Sequence, residues 1–184
     1  PLRLVGSEMC IRDRQITFSF VQTSKHKERF RKLGVAESCI QQVGSVKFDI
    51  SNLETNPIEA APFILGASTH SGEEDMLLNA YNRLLVKNDI KLFLCPRHIE
   101  RAEEIARQAS IMGFRVQLYS DFNSADYDVC IIDRIGLLPS FYASSLMSFV
   151  GGSLVPRGGH NLIEPASLGS PITVSYTHLR AHET

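Results

Sequence analysis

Residues 151–169 read GGSLVPRGGHNLIEPASLG, the stretch of the chain richest in groups that could hold an anion. Paired glycines at its start, Gly151 and Gly152 ahead of Ser153, let backbone come close to a ligand. Arg157 and His160 add positive charge or hydrogen-bond donors. Asn161 is placed to cap a following helix, and Glu164, three residues on, to reach back in a capping box. Pro165 falls in the first turn, where its missing N–H costs little. A helix N-terminus behind a glycine loop carries about half a unit of positive charge and is a ready anion site. A tight turn before a well-capped helix would show any one of these features; their coincidence points to a ligand. Neither the Gly-x-Gly-x-x-Gly dinucleotide spacing nor the Gly-Lys-Ser/Thr of a phosphate loop is present.

Three other segments carry chemistry more thinly. GASTHSGEED (66–75) offers the hydroxyls of Ser68, Thr69 and Ser71, then three acidic residues that suit a helix start. Simple N-capping and dipole complementarity account for it equally well. His70 reads as a polar loop residue. At Pro96-Arg97-His98 an arginine leaves an apolar run, and its planar fork matches phosphate oxygens. At Asp133-Arg134-Ile135-Gly136, the glycine could expose backbone N–H groups.

These segments all follow apolar runs that read as strands. From Phe63 onward FILGAS (63–68), KLFLC (91–95), RVQLYS (115–120), DVCIID (128–133), MSFVGG (147–152) and PITV (171–174) alternate with helical stripes. Met76, Leu77, Ala80, Tyr81, Leu84 and Leu85 share one face of a helix over 73–88. Ile99, Ala102, Ile105, Ala106, Ala109 and Met112 do so over 98–112, which Gly113 ends. Short helices are expected over 137–146 and near 161–168. Continuous apolar strands alternating with helices imply a Rossmann-like parallel sheet covered on both faces. Ligands of such sheets bind at the carboxyl ends of the strands, where all four segments fall. Upstream, ITFSFV (16–21), a helix from Ser24 to Gly34 and a β-rich stretch at 38–48 precede SNLETNPIEAAP (51–62), which reads as a linker.

Composition narrows the class without naming a function. Hydrophobic residues are 43% of the 184, enough for a real core, and 19 Lys+Arg against 20 Asp+Glu leave a net charge of -1. No basic excess argues for nucleic acid, and no apolar run is long enough to span a bilayer. Cys10, Cys39, Cys95 and Cys130 show no Cys-x-x-Cys pairing, which reads as reduced intracellular thiols and gives no metal site. Residues 1–14 (PLRLVGSEMCIRDR) and 174–184 (VSYTHLRAHET) carry no periodic apolar pattern and resemble translated adapter read-through. They are expected to lie outside the fold, the chain then being a piece of a longer protein.

ASTHSGEE, PRH with ERAEEI, and above all FVGGSLVPRGGHNLIEPASLG resemble the 3-deoxy-D-manno-octulosonic acid (Kdo) transferases of lipopolysaccharide synthesis. QTSKHKERFRKLGV and VGSVKFDI also resemble that family, so the likeness covers about residues 16–173. It implies a GT-B architecture, with 15–60 ending an N-terminal domain and hinge and 61–173 forming the C-terminal nucleotide-sugar domain. It implies CMP-Kdo as donor, a lipid A precursor as acceptor and no cofactor. It also implies a place at the cytoplasmic face of the bacterial inner membrane, reached through the N-terminal part. Positions matching CMP contacts of the family are Pro96 and Arg97, then Ile135, Gly136 and Leu137, then Asn161, Leu162, Ile163 and Glu164. Ser68, Thr69, Gly152, Ser153, Arg157 and His160 would line the donor side. The family often has Glu in place of Leu137 and Pro in place of Leu162, which leaves backbone to carry any contact there. Its catalytic Glu lies early in the N-terminal domain, so the 184 residues alone are expected to be inactive. Another GT-B transferase, or a non-catalytic sugar-nucleotide-binding module, would share most of these features; a Rossmann oxidoreductase would need the absent fingerprint.

Overall fold

The computed structural model describes residues 17–45, 53, 55–84, 89–123, 126–156 and 160–174, and the chain divides into two compact units, Pro1–Ser51 and Asn52–Thr184. Both adapter-like ends fall outside the described residues, apart from Val174.

The first unit is a small β-α-β. Strands β1 (Ser19–Val21) and β2 (Ile40–Gln42) pair in parallel, joined by helix α1 (Ser24–Lys32). Val21, Val35 and Ile40 form its core, with Phe30 and Cys39 packed against them. The sequence places the N-cap at Ser24, whereas Thr23 takes it. Thr23 is extended, and its Oγ1 accepts from the His26 N–H at 3.2 Å. Gly34, at φ 95°, ends the segment as expected.

The second unit is a six-stranded, all-parallel sheet. Its strands are β3 (Phe63–Thr69), β4 (Lys91–Pro96), β5 (Val116–Leu118), β6 (Val129–Ile131), β7 (Met147–Val150) and β8 (Ile172–Thr173). Their order across the sheet is β5-β6-β4-β3-β7-β8. The connecting helices are α2 (Glu73–Asn82), α3 (Ala102–Ile111), α4 (Leu138–Ser144) and α5 (Ile163–Ser167). Period-two alternation splits the central strands β3, β4 and β6 between two cores. Phe63, Leu65 and Ala67 of β3, Phe93 of β4 and Cys130 of β6 pack with Phe141 and Tyr142 of α4. Leu92 and Leu94 of β4 and Val129 and Ile131 of β6 pack with Leu78, Tyr81, Ala102, Ile105 and Ala109 of α2 and α3. Two covered faces explain why the strands read as unbroken apolar runs.

Several boundaries move from their expected places. Helix α2 ends at Asn82, and 85–88, including Leu85, lie outside the described residues. A 3₁₀ turn at Ile99–Arg101 precedes α3, and β5 gives way to another at Tyr119–Asp121. The segment expected as a linker is anchored where it is described. Asn56 N–H donates to Ser140 Oγ at 3.0 Å and Ile58 N–H to Ser144 Oγ at 3.2 Å, tying it to α4. Among the described residues no helix is long and apolar enough to cross a membrane.

Candidate functional site

Parallel strands put all their exits at one edge, and β6, β4, β3 and β7 are consecutive neighbours. The four chemically loaded segments therefore stand side by side. The chain leaves β3 for β4 on one flank and returns to β7 on the other, so the order reverses at β3; such reversal points open a ligand crevice.

The backbone there is tightly drawn. Ser68 has a positive φ of 52°, and the β3–β4 register shifts between Ala67 and Thr69. Gly151 N–H donates to Ala67 O at 2.8 Å, and Arg97 N–H to Thr69 O at 2.9 Å. A Cβ on Gly151 would stand 2.3 Å from Ser68 O, so only glycine fits where β7 leaves the sheet.

Glu73 is the organising side chain. It is fully buried at the start of α2 and accepts four backbone N–H bonds, two on each oxygen. Oε2 takes His70 at 2.9 Å and Gly152 at 2.8 Å; Oε1 takes Ser153 at 3.1 Å and Leu154 at 3.0 Å. The neighbouring Glu74, 1% exposed, pairs with Arg101 through bonds of 2.8 and 3.3 Å. One turn of helix thus fastens the loop after β7 and the turn after β4.

Above this base lie three imidazoles and an arginine. His70 and His160 stack with ring centroids 5.1 Å apart and Nε2 atoms 2.9 Å apart, while the His98 ring lies 6.3 Å from His70. Burial holds His160 below the usual histidine range; His70 and then Arg97 push the same way, and Glu73 opposes them. Arg97 is exposed just past the buried Pro96. Burial pushes the Cys95 thiol up to about 11, which keeps it protonated and inert.

A protein-family model matching the chain was not found. The chain is 32% identical over 160 residues to a 3-deoxy-D-manno-octulosonic acid transferase of Aquifex aeolicus, covering 86% of this chain and 44% of that protein. A transferase of the same description from Haemophilus influenzae is 30% identical over 171 residues, covering 86% and 40%. The chain belongs to the Kdo transferase family. It spans less than half the length of these curated relatives. Among solved structures it resembles the C-terminal CMP-Kdo binding domain of WaaA from Acinetobacter baumannii, at 35% identity and a TM-score of 0.58 over 62% of this chain and 61% of that one. The parallel sheet with helices on both faces is thus a Rossmann-like domain of GT-B type.

The fold brings the expected Kdo-transferase positions to this edge in different states. Ile135 is 82% exposed and Gly136 takes φ 85°, so the turn after β6 presents its backbone. Leu137 caps α4 and is half-buried. Asn161 is exposed, and its Oδ1 accepts from Ile163 N–H at 3.0 Å. The capping box is not formed. Leu162 is the N-cap, so Glu164 is the second helical residue and not the third, and its carboxylate makes no hydrogen bond or ion pair among the described residues. Nor is the dipole argument sustained, because α5 has only five residues. Thr69 is fully buried, and Gly152 and Ser153 spend their amides on Glu73. Ser153 Oγ also bonds Val150 O at 3.1 Å, so these residues shape the loop from beneath. Arg157 lies outside the described residues. Glu73 and Glu74 were legible in sequence only as acids suited to a helix start. Among the described residues no group of three or more His, Cys, Asp or Glu is placed to hold a metal.

Proposed function

We propose that this chain carries the CMP-binding half of a glycosyltransferase that moves Kdo from CMP-Kdo to a lipid A precursor (lipid IVA), working at the cytoplasmic face of the bacterial inner membrane. The observation that supports it most is the convergence of Arg97, the exposed 135–136 turn and the Asn161–Glu164 segment on one strand-exit edge of a Kdo-transferase-family domain.

In this reading the acceptor hydroxyl loses its proton to a base in the N-terminal domain of the whole protein. The resulting oxygen bonds to the anomeric carbon of Kdo as the bond from that carbon to the CMP phosphate oxygen breaks. Negative charge gathers on the departing phosphate, where the Arg97 guanidinium meets it. Glu164 accepts from the ribose hydroxyls, and the Ile135–Gly136 backbone contacts the nucleotide. Both departures from the family, Leu137 and Leu162, are compatible with backbone contact.

Calorimetric titration with CMP and UDP tests the nucleotide, and a transfer assay with the whole protein tests the reaction. CMP should bind and UDP should not; equal binding would favour a different GT-B transferase. Arg97→Ala removes a charge-assisted contact of about 1.5–3 kcal/mol. That loss should shrink as salt rises. Glu164→Gln should weaken CMP binding with little salt dependence, and unchanged affinity would remove Glu164 from the ribose site.

A further inference from the structure

His70 lies in the turn after β3 and His160 just ahead of α5, so their contact ties together two loops that only the fold brings together. A nitrogen–nitrogen hydrogen bond of 2.9 Å needs one proton between two ring nitrogens: one Nε2 carries it and the other supplies a lone pair. Protons on both facing nitrogens would set donor against donor, so the couple as built leaves one of the two facing nitrogens without a proton. The charged groups around it agree. Arg97, from the β4 exit, disfavours charge on His160, and so does His70 itself. His98, from the same exit, is another imidazole beside His70 and offers no negative charge. Among the described residues Glu73 of α2 is the carboxylate acting on His160, and its oxygens are committed to four backbone N–H groups. Burial and two basic neighbours keep the proton off until further negative charge arrives.

Resting on the nucleotide-binding reading above, we propose that the His70–His160 couple is the proton-linked part of the anion site, taking up one proton from solvent when a nucleotide phosphate docks beside Arg97. The proton goes to the ring nitrogen that had been accepting. The nitrogen–nitrogen bond breaks, and both Nε2–H groups become donors to phosphate oxygens. The couple gains one positive charge, which the phosphate balances. An arginine alone would hold the phosphate with no pH dependence near neutrality, because its own proton stays bound. The couple makes grip on the phosphate depend on proton supply, and loss of the phosphate returns the proton and restores the tie between the loops.

The test is calorimetric titration of the chain with CMP and with the methyl ester of CMP, in buffers of different ionisation enthalpy. The ester is a phosphodiester whose own charge is constant across about pH 5.5–8.5, so any proton exchanged belongs to the protein. Close to one proton should be taken up per ester bound at about pH 7.5, and affinity should rise about tenfold per unit fall in pH over the range where the free couple stays neutral. The double variant His70→Gln/His160→Gln keeps two donors but cannot titrate at the couple, and should bind with flat pH dependence and no uptake. The wild-type chain gives an independent reading through imidazole nitrogen shifts, which should change on binding from two neutral rings to one neutral and one doubly protonated ring. Ester binding with no proton exchange and unchanged shifts would overturn the inference while leaving the nucleotide site intact. Failure of both CMP and its ester to bind at any pH would overturn the site and the inference together.

Discussion

Glu73→Gln should cost far more than its size suggests. The carboxylate accepts His70 and Gly152 on one oxygen and Ser153 and Leu154 on the other, with no exposed surface. A glutamine in the same rotamer keeps one oxygen and turns an NH₂ toward two backbone donors. Whichever way the amide is placed, two N–H groups lose their acceptor in a buried site, at about 1–3 kcal/mol each. Allowing for partial relaxation, the loss should be about 3 kcal/mol, or roughly 6–12 °C in the unfolding midpoint of a chain of this length. Glu73→Ala leaves all four donors unanswered and should cost more. Denaturant unfolding with the slope held in common reads the change directly. The same substitution frees the loop leading toward His160, so CMP affinity should fall by about tenfold, equivalent to 1.4 kcal/mol. A Gln variant within about 0.5 kcal/mol of wild type, the range of an ordinary surface change, would mean that the four bonds do not hold the loop.

Other perturbations follow from the same geometry. Gly151→Ala sets a methyl 2.3 Å from Ser68 O, so strand β3 must shift; a loss beyond the usual 1–3 kcal/mol of overpacking is expected, and unchanged thermal unfolding would refute the close approach. Arg101→Met strands the buried Glu74 carboxylate and should cost about 3–5 kcal/mol. Adding Glu74→Gln should recover a large part of that loss, and a double variant no better than the single one would deny the pairing. Asp128 is held below its ordinary value chiefly by its hydrogen bond from Arg115. Its folded form therefore binds fewer protons than its unfolded form, so its contribution is present above about pH 4 and is lost as pH falls through the depressed value. Asp128→Asn should flatten the decline of stability below about pH 4; an identical acid limb in the variant would sink this assignment.

What the sequence disclosed and what it withheld follow the range of the interactions. FILGAS and KLFLC announce buried strands because both faces of the sheet are covered, and the stripes at 73–82 and 102–111 announce helices because their apolar faces repeat at a helical period. Arg97, His160 and Asn161 could be placed at one edge of the sheet because parallel strands deliver every exit there. The start of α5 was misplaced because Asn161 does bond a helical N–H, that of Ile163, yet does so from one residue outside the cap. Glu73 lay beyond local pattern altogether. Its partners in the β7 loop are 79, 80 and 81 residues away, and an acid at a helix start is already explained by the dipole. The same bonds change the meaning of the glycine loop. With Gly152 at φ 77°, successive N–H groups of residues 152–154 turn to one side, an arrangement that binds an anion. The sequence suggested that this anion would be a ligand, but the chain supplies it itself in the carboxylate of Glu73. In the proposed nucleotide site these amides are therefore already spent, and the charge of a phosphate would fall to side chains instead, those of Arg97 and the histidine couple among them.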